Sequence, residues 1–176
     1  MTTNQTPALL GARYDFEDAA TVASYTMLLV RLVVGYWFLH AGWAKFAFVA
    51  GEPFDAAGYL ANADSPIAWL FAIVAETPWL LEFTNFMIPA GEFLIGLGIL
   101  LGALTRLAAF FGGFLMVLFY LGNADWAHGY VNGDLMGLLL FVIVGVFATG
   151  RILGVDAALE DTAFVRQRPA LRYLLG

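Results

Sequence analysis

Four apolar runs, at about residues 21–49, 84–104, 107–122 and 135–149, dominate this chain. Crossing the ~30 Å hydrocarbon core of a bilayer takes roughly 20 mostly apolar residues in a helix, so each run reads as a membrane span. The last two are short, and their ends are expected to extend into flanking polar residues. None shows the alternation of a barrel strand, and helices are the other element that satisfies its own backbone in lipid. Composition agrees: 61% of the 176 residues are hydrophobic and 12% charged, about half the charged share of soluble domains. A soluble fold of this size would lack the polar side chains to cover its surface. A cytosolic globular enzyme and a disordered chain are excluded. A net charge of −6 argues against binding phosphate backbones, so no nucleic-acid partner is expected. The chain has no cysteine, which excludes a disulfide scaffold, a thiolate zinc site and a cysteine-ligated iron–sulfur cluster.

The predicted fold is all-α, a four-transmembrane-helix bundle with an external interfacial or re-entrant helix between helices 1 and 2. Residues 1–20 form an N-terminal tail, 21–150 the membrane domain and 151–176 a C-terminal tail that holds a short surface helix. Within the long loop 50–83, the apolar run 67–75 is too short to span. Glu76, Pro78 and Glu82 interrupt the stretch after it, and Trp69 and Trp79 suit the headgroup level. Residues 102–106 make a tight helical hairpin. Arg13, Arg106, Arg151, Arg166, Arg168 and Arg172 fall on one side. Glu52, Asp55, Asp64, Glu76, Glu82, Asp125 and Asp134 fall on the other, with Lys45 at its border. The excess of bases places both termini in the cytoplasm and the long loop outside. No basic segment followed by a short apolar core opens the chain, so insertion is expected to rely on the spans themselves. Gly98–Gly102 and Gly133–Gly137 have the spacing of close helix contacts, and Gly35 and Gly42 share one face of span one.

Ionisable groups inside a membrane face partners or water. Arg31 is expected about nine residues from the inner edge of span one, roughly 13 Å deep, and Glu92 about twelve residues from that of span two, roughly 18 Å deep. These depths predict an Arg31–Glu92 pair, acting either as a clamp between helices or as an anion, quinone-head or proton-relay site. Arg31, Gly35, Phe38, Gly42 and Lys45 form one stripe that should face the bundle. Lys45 reads either as a snorkelling anchor or as a point-charge donor to an anion. His40 lies about 180° around the helix from Arg31, near Tyr36 and Trp43. It is either a hydrogen-bonded histidine or a donor to a quinone carbonyl. With His128 in a loop, haem ligation is not expected. The joint from Asn123 to Asp134 is dense in polar groups. Asn132 or Asn123 can cap helix ends and Asp134 can favour the start of span four; alternatively, with His128, the joint builds a polar pocket with Lys45.

Two stretches carry a family likeness. One is Leu-Val-Arg31-Leu-Val-Val-Gly35-Tyr-Trp-Phe-Leu-His40-Ala-Gly42-Trp-Ala-Lys45-Phe; the other runs from Gly91-Glu92 through Gly96, Gly98 and Gly102 to Arg106. Together they resemble the DoxX/DoxD family of four-helix membrane proteins, over about residues 21–150. Arg31, Lys45, Glu92 and Arg106 match its pattern. The resemblance implies a small integral subunit tied to redox work, the DoxD type being the membrane subunit of thiosulfate:quinone oxidoreductase. It implies a quinone as cofactor; no haem, zinc or iron–sulfur cluster is expected. On this reading Glu92 and Arg31 are the catalytic candidates, and Lys45, His40, Arg106, Asn123, His128 and Asp134 the substrate- or quinone-binding ones. The alternative is a non-catalytic scaffold or accessory subunit of a larger membrane complex. Either reading carries membrane lipids and a protein partner or second copy as partners.

Overall fold

The computed structural model describes residues 16–124, 126 and 129–176; Arg13, Asp125 and His128 lie outside them. Every regular element among the described residues is helical. In chain order the α-helices are α1 (Phe16–Ala44), α2 (Ala47–Ala50), α3 (Ala57–Ala61), α4 (Ala68–Glu76), α5 (Pro78–Leu101), α6 (Thr105–Asn123), α7 (Gly133–Val146), α8 (Val155–Glu160) and α9 (Ala163–Arg166), with 3₁₀ turns at Thr149–Arg151 and Pro169–Tyr173. Helices α1, α5 and α6 are long and apolar enough to cross a membrane. Helix α7 has 14 residues, a length of about 21 Å against a core of ~30 Å. The chain is a helical membrane bundle, as its apolar runs require.

Local chemistry sets the helix ends. Pro78 opens α5, its fixed φ suited to a first helical position, so this helix starts six residues before the apolar run at 84. Gly102 closes it in the left-handed conformation at φ 66, its N–H bonded to the carbonyls of Gly98 and Ile99. Three residues on, α6 begins, which makes the expected hairpin. Asn132 caps α7 by accepting from the Leu135 N–H. The first span stops earlier than expected. After Ala44 the backbone turns, with the Lys45 and Phe46 amides bonded to the Gly42 and Trp43 carbonyls.

Helix α1 packs chiefly on α5, and α6 on α7. Glycine makes the first contact close. A Cβ on Gly35 would stand 2.6 Å from the Leu100 nitrogen, one on Gly42 2.7 Å from the Pro89 carbonyl, and one on Gly96 would strike the backbone of Leu39. The expected Gly98–Gly102 and Gly133–Gly137 pairs do not play this part: Gly102 ends a helix, and Gly133 has open space where its Cβ would be. Phe38 and Phe141 join the two helix pairs edge to face at 4.6 Å, within a core of Val34, Ile95, Ile99, Met116 and Val144.

The loop between α1 and α5 carries the expected short helix as α4. With α3 it forms its own apolar cluster around Ala56, Leu60 and Phe71. This unit sits over the end of α6, where a Cβ on Gly122 would lie 2.6 Å from the Tyr59 hydroxyl and 2.7 Å from the Phe71 ring. At the opposite end the C-terminal tail folds back on the bundle. The Leu107 N–H bonds to the Leu174 carbonyl, and the Gly176 N–H to Asp156.

Candidate functional site

Close approach of α1 and α5 creates the buried ion pair. Gly42 lies against the backbone of Pro89 and Phe93, which brings Lys45, just past the end of α1, beside Glu92. The Lys45 ammonium donates to Glu92 Oε2 at 2.5 Å and to the Ala41 carbonyl at 3.3 Å. The Glu92 side chain is 4% exposed and that of Lys45 30%. Glu92 stands nine residues before the end of α5 and fourteen after its start, about 13 Å and 21 Å along the axis. The pair therefore lies well inside a span. An ammonium has three donors; among the described residues Glu92 and Ala41 take two, leaving one.

An aromatic wall adjoins the pair. Trp43 and Phe46 lie 6.0 Å and 5.7 Å from Phe93, and Phe48 stacks on Phe46 at 5.5 Å and 9°. Trp43 and Phe48 are exposed on the outside of the bundle. The unit thus combines a flat apolar face, one spare cationic donor and a desolvated carboxylate.

The expected Arg31–Glu92 pair does not form. Arg31 is buried, but its guanidinium donates to the carbonyls of Thr149 at 2.5 Å, Ile152 at 2.7 Å and Leu153 at 3.3 Å. The error is one of depth. Arg31 is level with the ends of α5 and α7, since a Cβ on Gly102 would stand 2.9 Å from its Nη1. Helix α1 begins fifteen residues earlier, so its first four turns run past the other helices. Carbonyls at a helix end are short of intrahelical donors; that of Thr149 has the Ile152 N–H, and a guanidinium with five donors satisfies several at once. Arg31 is a latch at the arginine-rich end of the bundle.

Asp156 completes that latch, and sequence reasoning misses it. It is fully buried and accepts from the N–H groups of Leu104 at 2.7 Å, Thr105 at 2.9 Å and Gly176 at 2.9 Å. A carboxylate is favoured at the positive start of α6. In the sequence it reads as one more tail acid; its proximity to Gly150 and Gly154, which allow the tight turn, is the only signal.

Among the described residues, the remaining candidates do not join Lys45 and Glu92. His40 is exposed and packs beside Tyr36 at 5.8 Å, on the outer face of α1 with Leu32 and Val33. Arg106 donates through Nε to the Gly145 carbonyl at 3.4 Å. Asn123 donates to Asp134 at 2.8 Å and accepts from the Tyr59 hydroxyl at 2.9 Å, tying α3, α6 and α7 together. Burial, then the Asp134 charge, raises the Tyr59 phenol above its usual pKa. The stripe of Arg31, Gly35, Phe38, Gly42 and Lys45 faces the bundle as expected, its first four members buried and Lys45 partly so.

Three long apolar helices, a shorter fourth and an ion pair inside a span define a helical membrane protein. The family model for DoxX matches residues 26–122, more than half of the chain, from α1 to the end of α6 and including Arg31, Lys45, Glu92 and Arg106. The chain belongs to the DoxX family. No curated protein and no solved structure matches it significantly.

Proposed function

We propose that the chain is the membrane subunit of a quinone-linked redox system, with the Lys45–Glu92 pair and its aromatic wall as the quinone-head site. The observation that carries this reading is a desolvated carboxylate held by an ammonium with one donor to spare, beside rings open to the membrane. Ligand sites are largely apolar with a few placed polar groups, and the residues present suit a flat ring that bears carbonyl oxygens. A bound quinone supplies two-electron, two-proton chemistry. Lys45 donates to a ring oxygen and orients it. Glu92 takes up a proton or releases it to that oxygen. Trp43, Phe46 and Phe48 cover one face and limit water. Electrons come from a partner subunit, with thiosulfate as their donor on the DoxD likeness. The arginine-rich end, with Arg106, Arg151, Arg166, Arg168 and Arg172, faces the cytoplasm, so both tails are cytoplasmic and the α3–α4 unit is external.

The test is lipid extraction from the purified chain, together with an assay of quinone reduction in vesicles that hold the chain with its co-purified partner subunit and are supplied with thiosulfate. Bound quinone and thiosulfate-dependent reduction, both lost in Lys45→Met, are expected. A chain that carries no quinone and supports no turnover with its partner bound would be an accessory subunit instead.

A further inference from the structure

A second feature lies on a different face of the bundle and takes no part in the Lys45–Glu92 site. A groove of about 610 Å³ runs along the outer seam of α6 and α7, within the ~300–1,000 Å³ of ligand clefts. Its lining is apolar throughout except for Arg106 at one end. Gly113 and Gly145 keep it deep, while Phe110, Phe114 and Val146 form exposed walls. From Arg106 to Val117 it follows α6 for eleven residues, about 16 Å, or half of a ~30 Å hydrocarbon core. The Arg106 guanidinium uses only Nε, toward the Gly145 carbonyl; its two terminal nitrogens have no partner among the described residues. A fork of unspent donors matches a phosphate oxygen pair.

We infer that this groove binds one anionic phospholipid, an acyl chain lying along Gly113 and Gly145 and the phosphate resting on Arg106. Three observations select this occupant. The groove has the depth of one leaflet. Its single charge is positive and stands at one end, where a headgroup would be. That end also carries Arg168 and Arg172, beside Arg151 and Arg166 that pair with Glu160 and Asp161, and bases near a membrane surface favour acidic lipids. A phospholipid satisfies both the apolar channel and the terminal cation; a free anion satisfies only the second.

The test is native mass spectrometry of the full chain released from quinone-free nanodiscs that hold equal amounts of phosphatidylglycerol and phosphatidylethanolamine. Retained phosphatidylglycerol is expected to exceed phosphatidylethanolamine. Arg106→Gln should lower this preference about fivefold, the effect of one basic residue near an anionic headgroup, while Arg106→Lys retains most of it. Gly113→Leu should expel the lipid by filling the channel; a Cβ there meets Leu138 at 3.5 Å, ordinary contact, and size-exclusion chromatography confirms that the variant folds. Equal retention in parent and Arg106→Gln overturns the headgroup assignment, and unchanged retention in Gly113→Leu overturns the groove. Inorganic phosphate that displaces the lipid at millimolar concentration, or a dimer that persists in phosphatidylglycerol and dissociates in Gly113→Leu, assigns the seam to a free anion or a second copy and overturns the proposal.

Discussion

Removing Glu92 and its two rival partners in turn separates the observed ion pair from the one that depth alone suggests. Lys45→Met leaves a carboxylate that is 4% exposed with no cation. Breaking a buried pair from one side costs about 3–5 kcal/mol, less where the stranded acid takes up a proton. Glu92→Leu strands an ammonium that is 30% exposed and able to turn outward along its stem, so its cost lies nearer ~1–3 kcal/mol, the range of a lost hydrogen bond to a charged group. The double variant strands neither charge, and its cost falls below the sum of the single ones. A coupling of about 2 kcal/mol is expected, inside the ~0.5–3 kcal/mol of contacting residues. Arg31→Met leaves the half-buried Ile152 carbonyl without its donor, at about 1–3 kcal/mol, while the buried Thr149 carbonyl keeps the Ile152 N–H. Its carbonyl partners lie ten residues along α5 from Glu92, by way of Gly102, or about 15 Å. The Arg31–Glu92 cycle should therefore be additive within ~0.5 kcal/mol. The assay is denaturant unfolding in detergent micelles, followed by tryptophan fluorescence. Coupling in the Arg31 cycle with none in the Lys45 cycle would refute the assignment of partners.

Three further perturbations test the packing and the loops. Gly96→Leu should break the seat of α1 on α5 and abolish folded yield on size-exclusion chromatography, whereas Gly133→Ala, in open space, should leave it unchanged. Asp156→Ala removes the acceptor for the Leu104, Thr105 and Gly176 amides; faster hydrogen exchange at all three is expected, with loss of about 1–3 kcal/mol per buried donor left unpaired. The Tyr59 phenol has a raised pKa in the folded protein, so its neutral form is favoured by folding. Its contribution to stability is full below the ordinary value of ~10 and is lost as pH rises through the folded value. Tyr59→Phe should flatten this alkaline decline, as read by unfolding midpoints across that window.

Much of the architecture is written in local patterns. Apolar runs mark the membrane helices, Gly102 the hairpin, Asn132 the cap of α7, and the run at 67–75 the short helix over the end of α6. The stripe from Arg31 to Lys45 already marks the face that α1 turns to the bundle. Hydropathy does not encode the axial offset between helices. Gly35, Gly42 and Gly96 set that offset by letting two backbones touch, and it moves Arg31 to the bundle's end while bringing Lys45 down to Glu92. Both residues of the true pair are visible as charges in apolar runs; their partnership depends on a slide that only packing fixes. Asp156 is illegible for a related reason. Its partners are backbone amides, and no side-chain pattern announces them.

The most direct test of the proposed site is equilibrium binding of short-chain ubiquinone and menaquinone analogues to the purified chain in nanodiscs, followed by quenching of tryptophan fluorescence. Trp43 lies in the aromatic wall and reports on it. The expected result is saturable quenching that weakens at least about tenfold in Lys45→Met, the equivalent of losing one charge-assisted hydrogen bond, and is unchanged in His40→Ala and Arg106→Gln. Equal affinity in the parent and Lys45→Met, or no saturable quenching at all, would contradict a quinone-head site at Lys45 and Glu92.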